Sequence, residues 1–262
     1  NFYPKYALIL NIEEDHMDFF KDLADIRHSF RKFAENVAEG GTLVLNGEIE
    51  GLGEITEGLP CNALTYGLDP SCSYYAEGVA FNTLGCASFT LMHGESALGS
   101  ISLKVPGIHN VSNALGACAL ALQAGISFAH IQAGLEEFKG PNRRFEYKGD
   151  LGGIAIIDDY AHHPAEITAT LTAAKNYGNH RIICVFQPHT YTRTKAFLDD
   201  FATALSLADT VVLADIYAAR ETDTLGISSQ NLQKKLQSLG CECHYFPSFD
   251  EIENFLLNKC MN

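Results

Sequence analysis

Positive charge is what this sequence has least of: 18 Lys and Arg stand against 32 Asp and Glu, a formal net charge of −14. A surface of that sign repels phosphate backbones and acidic lipid, which argues against a nucleic-acid or anionic-membrane partner. Long apolar runs are missing too. None approaches the ~18 residues of a membrane span, and no basic-then-apolar leader opens the chain, so a cytoplasmic protein without membrane insertion is the expectation. CxxC pairs are absent among the eight cysteines, at 61, 72, 86, 118, 184, 241, 243 and 260. Several fall in apolar stretches, so buried, reduced thiols are expected. Cys241 and Cys243 form a CxC beside His244, but the neighbourhood offers too few further ligands for a metal. The dipeptide GlyLys does not occur, and with it goes GxxxxGK[ST], the loop whose N–H groups and lysine cradle phosphates.

What is present describes a cored globular protein. The 262 residues are 47% hydrophobic and 19% charged, enough for one large domain or two ordinary ones. The apolar run at 7–12 has strand length, and apolar residues at 19, 20, 23, 26, 30, 33 and 37 follow at helical spacing. GlyGly at 40–41 stops that helix before a second strand at 42–45, so the spacing predicts a parallel βαβ crossover. Residues 63–105 alternate in short segments, such as 88–92 and 100–103 around HisGlyGluSer, and predict antiparallel hairpins. Helices are expected over about 110–123 and 128–138. LysGlyProAsn (139–142) is a turn cluster and marks the expected boundary between a domain over 1–140 and one over 141–262. Beyond it, strands at 154–157, 181–186, 210–214 and 243–246 alternate with helices. That pattern is a doubly wound, Rossmann-like α/β sheet, which binds ligands beyond the carboxyl ends of its strands.

Those strand ends carry the chemistry. AspAspTyrAlaHisHisPro (158–164), GlnProHisThrTyrThrArgThrLys (187–195) and AspIleTyrAlaAlaArgGlu (215–221) each follow a strand and are expected on one edge of a parallel sheet. From Pro141 to Lys195 there are seven Lys and Arg, five Asp and Glu and four histidines, a near-neutral window in an acidic chain that suits bound phosphate. In the first half, GluGluAspHisMetAsp (13–18) could hold Mg²⁺, or Asp15 and Asp18 could simply cap the next helix. Asn110 and Asn113 in GlyIleHisAsnValSerAsn (107–113) could read a purine edge. Taken alone, capping explains Asn110 better. ArgArgPhe (143–145) offers a guanidinium for phosphate, although a solvated pair is the default.

In order along the chain, AsnIleGluGluAspHisMetAsp, GlyIleHisAsnValSerAsnAla, GlyProAsnArgArgPheGlu, AspAspTyrAlaHisHisPro, GlnProHisThrTyrThrArgThr and AspIleTyrAlaAlaArgGlu resemble the Mur ligases, and within them the alanine-adding branch. The resemblance covers nearly the whole chain. It implies a partial central ATPase domain followed by a Rossmann-like C-terminal ligase domain, with ATP and Mg²⁺ as cofactors and UDP-N-acetylmuramate and L-alanine as substrates in peptidoglycan synthesis. In the implied reaction ATP phosphorylates the muramyl carboxylate and the amino acid's amine displaces the phosphate. By the same resemblance His16 is a magnesium ligand, Asn110 and Asn113 touch adenine, Arg144 reaches the terminal phosphate and Asp159 holds the ribose. Tyr160, His162, His189 and Arg193 wall the amino acid and the muramyl carboxylate. Thr190 departs from members with Arg there, which shifts carboxylate gripping toward Arg193.

In the family the phosphate loop, an acidic magnesium motif and the UDP-sugar domain lie upstream of Asn1, and further sheet follows the last helix. The expectation is therefore a fragment of a longer enzyme, inactive alone and able to self-associate through exposed apolar surface. Two other readings stay open from the residues. A metal-dependent phosphoesterase would use AspAspTyrAlaHisHis with AspHisMetAsp, and a nucleotide-binding module would have no catalysis. A muropeptide-recycling Mur-type ligase is the alternative within the family.

Overall fold

The computed structural model describes residues 2–14, 19–177 and 181–260, which form two compact units: residues up to 82 with 86–139, and 83–85 with 140 onward. In unit 1, β1 (Tyr6–Ile9), α1 (Leu23–Glu35) and β2 (Thr42–Asn46) make the expected crossover, with β1 and β2 parallel and Ala7 opposite Leu43. β1 stops three residues short of the run read from sequence. α1 begins at Leu23 because the Asp22 carboxylate accepts from the Asp25 N–H at 2.9 Å, which satisfies an orphan donor of the first turn. Asp15, His16 and Asp18 lie outside the described residues.

β2 is buried on both faces, which is why it reads as an unbroken apolar run. Successive strand residues point to opposite sides, so Leu43 and Leu45 pack with Ala34 and Val37 beside Ile55 of α2 (Leu52–Thr56). Val44 packs instead with Val111 and Leu115 of α3 (Ile108–Gln123). β3 (Asn62–Gly67), β4 (Tyr74–Phe81), β5 (Cys86–His93) and β6 (Ser96–Pro106) extend the sheet in the order β1-β2-β3-β4-β5-β6. The antiparallel expectation for 63–105 holds only from β4 onward. β3 pairs in parallel with β2 from Asn62 to Tyr66 and with β4 at Tyr66↔Tyr74 and Gly67↔Tyr75. α3 lies close over this sheet at Gly116, where a Cβ would sit 2.9 Å from the Tyr66 ring. α4 (Phe128–Glu137) follows.

Unit 2 opens with a hairpin that sequence periodicity missed. β7 (Glu146–Leu151) pairs antiparallel with β8 (Ile154–Asp158), and Gly152 and Gly153, at φ 60° and 86°, form the two-residue loop. β8 was expected as the first strand of the parallel sheet. It pairs instead in this separate two-stranded ribbon, because the GlyGly turn supplies an adjacent partner. β9 (Ile183–Phe186), β10 (Thr210–Leu213) and β11 (Glu242–Tyr245) form a parallel sheet in the order β11-β10-β9.

α5 (Pro164–Asn176), α6 (Tyr191–Ala196), α7 (Leu198–Leu205), α8 (Ser229–Ser238) and α9 (Phe249–Cys260) connect and cover these strands. Phe201, Leu205, Leu232 and Leu236 cluster with Val211 and Leu213, while Ile252 clusters with Val212 and Ala214. Neighbouring residues of β10 thus bury into helices on opposite faces, the doubly wound arrangement. Each fully buried Leu or Phe here contributes about 2 kcal/mol by leaving water. Among the described residues no helix is long and apolar enough to cross a membrane.

Candidate functional site

Polar side chains gather at the carboxyl ends of β8, β9 and β10. At the first, Arg143 and Phe145 take left-handed backbone, φ 57° and 48°, which costs an L residue roughly 1–2 kcal/mol each. The Asp159 carboxylate holds that turn in place. Its Oδ2 accepts from the Phe145 N–H at 2.8 Å and its Oδ1 from the Ala161 N–H at 2.7 Å, while the Tyr160 N–H donates to the Arg143 carbonyl at 2.8 Å. The Arg143 guanidinium lies over the Tyr160 ring, 4.7 Å from its centroid.

The same turn presents Arg144 to α5. Arg144 Nη1 donates to Glu166 Oε1 at 3.1 Å, and Glu166 Oε2 accepts from the His162 and His163 N–H groups at 2.9 and 3.2 Å. Pro164 opens α5, where its missing N–H costs nothing. His163 caps the helix, Nδ1 accepting from the Ala165 N–H at 3.4 Å. Burial alone would raise the Glu166 carboxyl, but the His162 N–H, the His162 ring and Arg144 together hold it below its ordinary value.

The ends of β9 and β10 meet through their backbones. Thr190 N–H donates to the Tyr217 carbonyl at 2.9 Å, and Tyr217 N–H donates to the Pro188 carbonyl at 2.8 Å. Thr190 itself sits at φ 64°, caps α6 with its hydroxyl accepting from the Arg193 N–H, and takes the Thr194 hydroxyl on its carbonyl at 2.6 Å. Glu221 accepts from both the Thr192 hydroxyl and its N–H at the start of α6. Desolvation pushes the Glu221 carboxyl up, but the Thr192 bonds outweigh it and the net direction is down.

The β8 end joins the other two through rings. Tyr160, His162, His189 and Tyr217 follow one another at centroid separations of 5.5, 6.2 and 5.6 Å, with Arg193 Nη1 3.5 Å from His189 Nδ1. Tyr160 and Tyr217 remain 53% and 55% exposed, large aromatic faces available to a ligand. Desolvation, with Arg193 and His162 beside it, lowers the His189 pKa and favours a neutral imidazole. The structure therefore brings together Arg144, Asp159, Tyr160, His162, His189 and Arg193. Glu166, Tyr217 and Glu221 belong to the same cluster and were not singled out from sequence. Glu166 had a signal, since it follows His163 at capping-box spacing.

Asn110 and Asn113 belong to unit 1. The N-cap of α3 is Gly107, not Asn110. Asn110 lies inside the first turn and donates its amide to the Pro106 carbonyl at 2.8 Å, because the helix starts two residues earlier than read. Its Oδ1 supports Asn113 at 3.4 Å. Asn113 lines an open cavity of about 370 Å³ with Asn11, Asn46, Leu68 and Ile108, beyond the ends of β1, β2 and β3. Glu48, His109 and Ser112 complete a lining in which polar side chains outnumber the apolar Leu10, Leu68 and Ile108. The described residues contain no group of three or more His, Cys, Asp and Glu placed to hold a metal ion. The AspHisMetAsp half of the phosphoesterase set, His16 included, lies outside them.

Comparison with known proteins shows the family. Residues 1–121 match the Mur ligase middle domain, and residues 143–260 match the Mur ligase, glutamate ligase domain. The chain belongs to the Mur ligase family. It is 55% identical over 262 residues to UDP-N-acetylmuramate–L-alanine ligase of Agathobacter rectalis and 52% identical over 264 residues to that of Lachnospira eligens. All of this Mur ligase chain is covered in both cases, against 57% of each relative. The chain thus spans little more than half the length of the curated relatives it matches. A crystal structure of UDP-N-acetylmuramate-alanine ligase from Thermotoga maritima superposes with TM-score 0.77 at 31% identity, covering 97% of this chain and 53% of that one. MurF from Acinetobacter baumannii, at 20% identity and TM-score 0.80 over 99% of this chain and 54% of that one, shares the Mur ligase fold.

Proposed function

We propose that this Mur ligase chain works as part of an ATP-dependent ligase that joins L-alanine to the carboxylate of UDP-N-acetylmuramate in peptidoglycan synthesis. The observation that carries the reading is the ring-lined cluster of unit 2, where Arg144, Arg193 and two histidines stand beside two exposed tyrosines. A guanidinium grips carboxylate or phosphate oxygens with paired, charge-assisted bonds. Arg193 with His189 suits a substrate carboxylate, and Arg144 suits a phosphate. Asp159 uses two of its roughly four acceptor sites on backbone N–H groups, which leaves capacity for the ribose hydroxyls. Asn113, backed by Asn110, suits the adenine edge, and His16 is assigned to magnesium from the family pattern alone.

When bound, ATP with Mg²⁺ supplies the phosphoryl group that turns a carboxylate oxygen into a leaving group. The residues of this chain hold the reacting groups in register, and the neutral His189 avoids repelling the ammonium substrate. The exposed faces of Tyr160 and Tyr217 offer apolar surface against which a bound substrate can pack. The seven free cysteines among the described residues suit a reducing compartment, which supports the cytoplasm as the location.

The test is a chimera in which these 262 residues replace the matching part of the Agathobacter rectalis relative. Alanine-dependent ADP release with UDP-N-acetylmuramate is expected. Arg193→Ala should raise the KM for one carboxylate substrate about 10- to 100-fold, the loss of one charge-assisted interaction. A folded chimera that releases no ADP above a control without UDP-N-acetylmuramate overturns the reading.

A further inference from the structure

The Glu166–His162 pair carries more than helix capping. His162 Nδ1 lies 3.0 Å from the Tyr160 carbonyl oxygen and 3.3 Å from Glu166 Oε2. Both are acceptors, so a lone pair on Nδ1 would face two oxygens, whereas a proton there satisfies them. Nδ1 is therefore the protonated nitrogen of the neutral ring, and the lone pair sits on Nε2. His162 makes no hydrogen bond through Nε2 among the described residues, its side chain is one-third exposed, and its ring neighbours are Tyr160 and His189. The same carboxylate holds Arg144 at 3.1 Å. Glu166 thus reinforces, beside the nearer Tyr160 carbonyl, the tautomer of an open imidazole and also sets the position of an arginine.

We propose that Glu166 is a positioning residue that locks His162 with its Nε2 lone pair toward the open ring cluster, where it accepts a proton from the ammonium group of an amino-acid substrate. In that step an N–H bond of the ammonium breaks and its electron pair stays on nitrogen. The proton bonds to the Nε2 lone pair, and the resulting imidazolium is stabilised by the Glu166 carboxylate beside Nδ1–H. The freed amine can then attack an activated carboxyl carbon. The proton-accepting role rests on the ligase reading above; the tautomer does not.

The experiment uses the 262-residue chain itself, with long-range ¹H–¹⁵N correlation of the His162 ring at a pH where it is neutral. The wild type should show Nδ1 protonated and Nε2 bare. Glu166→Gln keeps an oxygen that can accept from the His162 and His163 N–H groups but loses the charge facing Nδ1 and the ion pair with Arg144, so the melting temperature should fall modestly while the ring gains a minor share of the other tautomer. Glu166→Asp, which keeps the charge, should recover part of the wild-type pattern. Nε2 protonated in the wild type overturns the proposal whatever the variants do, and so does a Glu166→Gln spectrum identical to wild type. In the chimera described above, Glu166→Gln should lower kcat about 10- to 100-fold with a smaller change in KM. An unchanged kcat in an active chimera overturns the catalytic role, whereas a chimera inactive with Glu166 intact counts against the ligase reading instead.

Discussion

Asp159 offers a sharp test of how the site is held together. Its two oxygens accept the Phe145 and Ala161 N–H groups at 2.8 and 2.7 Å. Replacing it with alanine strips both donors of their partner. A hydrogen bond to a charged group is worth about 1.5–3 kcal/mol, so the two together set an upper range of about 3–6 kcal/mol. Two effects reduce it. The site is only partly buried, so water takes over some of the bonding, and the strained turn at Arg143 and Phe145 relaxes once released, returning roughly 1–2 kcal/mol per residue. A net local loss of about 1–2 kcal/mol remains, or roughly tenfold in an opening equilibrium at about 1.4 kcal/mol per factor of ten.

Amide hydrogen exchange reads this directly, without assuming that the two units unfold together. Protection at Phe145 and Ala161 should fall about tenfold in Asp159→Ala. Asp159→Asn, which keeps one neutral acceptor, should lose about half of that free energy, roughly threefold, while amides in β10 stay as they were. If Asp159 serves only a nucleotide sugar, both variants will leave those two amides untouched, and the clip argued from the structure is refuted.

Three further outcomes follow from the same geometry. Thr190→Gly should be close to neutral for the stability of unit 2, because relief of the backbone at φ 64° offsets a lost cap of about 1 kcal/mol; Thr190→Ala keeps the strain and loses the cap, and should lower the urea midpoint. Unit 2 should weaken on acidification: Glu166 and Glu221 have folded pKa values below the ordinary 4.5, so their contribution is complete above that value and lost as pH falls through the folded ones, and His189, lowered from 6.5, adds a loss beginning earlier because the unfolded ring takes its proton first. Urea midpoints at pH 7, 5.5 and 4 check this sign. The 262 residues alone contain no GlyLys phosphate loop and should release ADP only at background; clear turnover with UDP-N-acetylmuramate and L-alanine would contradict that.

The sequence made the strand and helix order of unit 1 legible because its apolar spacing is strong. β2 is continuous in Leu and Val, and α1 repeats at helical intervals. Parallel pairing between β3 and β4 was not legible, since short alternating segments look the same in either orientation. β7 was missed because GluTyrLysGlyAspLeu has little apolar content; only the GlyGly that follows announces the hairpin. In the site, His162, His189 and Arg193 stood out as residue types at strand ends. Tyr217 did not, because what places it is backbone pairing with Pro188 and Thr190 across 27 residues or more, which no local pattern encodes.

One feature of the backbone ties the site residues together more firmly than their side chains do. Among the described residues, the non-glycine positions with positive φ are Arg143, Phe145, Thr190 and Ala219. Arg143 and Phe145 lie in the turn before β7, which the Asp159 clip ties to the end of β8, and Thr190 and Ala219 lie in the loops after β9 and β10. Arg, Phe and Thr gain nothing locally from left-handed backbone, and a β-branched Thr is the least suited of them. Such conformations persist only where surrounding bonds over-determine them. Here the Asp159 clip holds one pair, and the Tyr217 carbonyl with the Thr194 hydroxyl holds the third. Local propensity would place ordinary turns at these positions. The departures from propensity therefore point to the site as directly as the histidines do, and they explain why Arg144 projects from a fixed turn and Arg193 from a helix whose start is fixed.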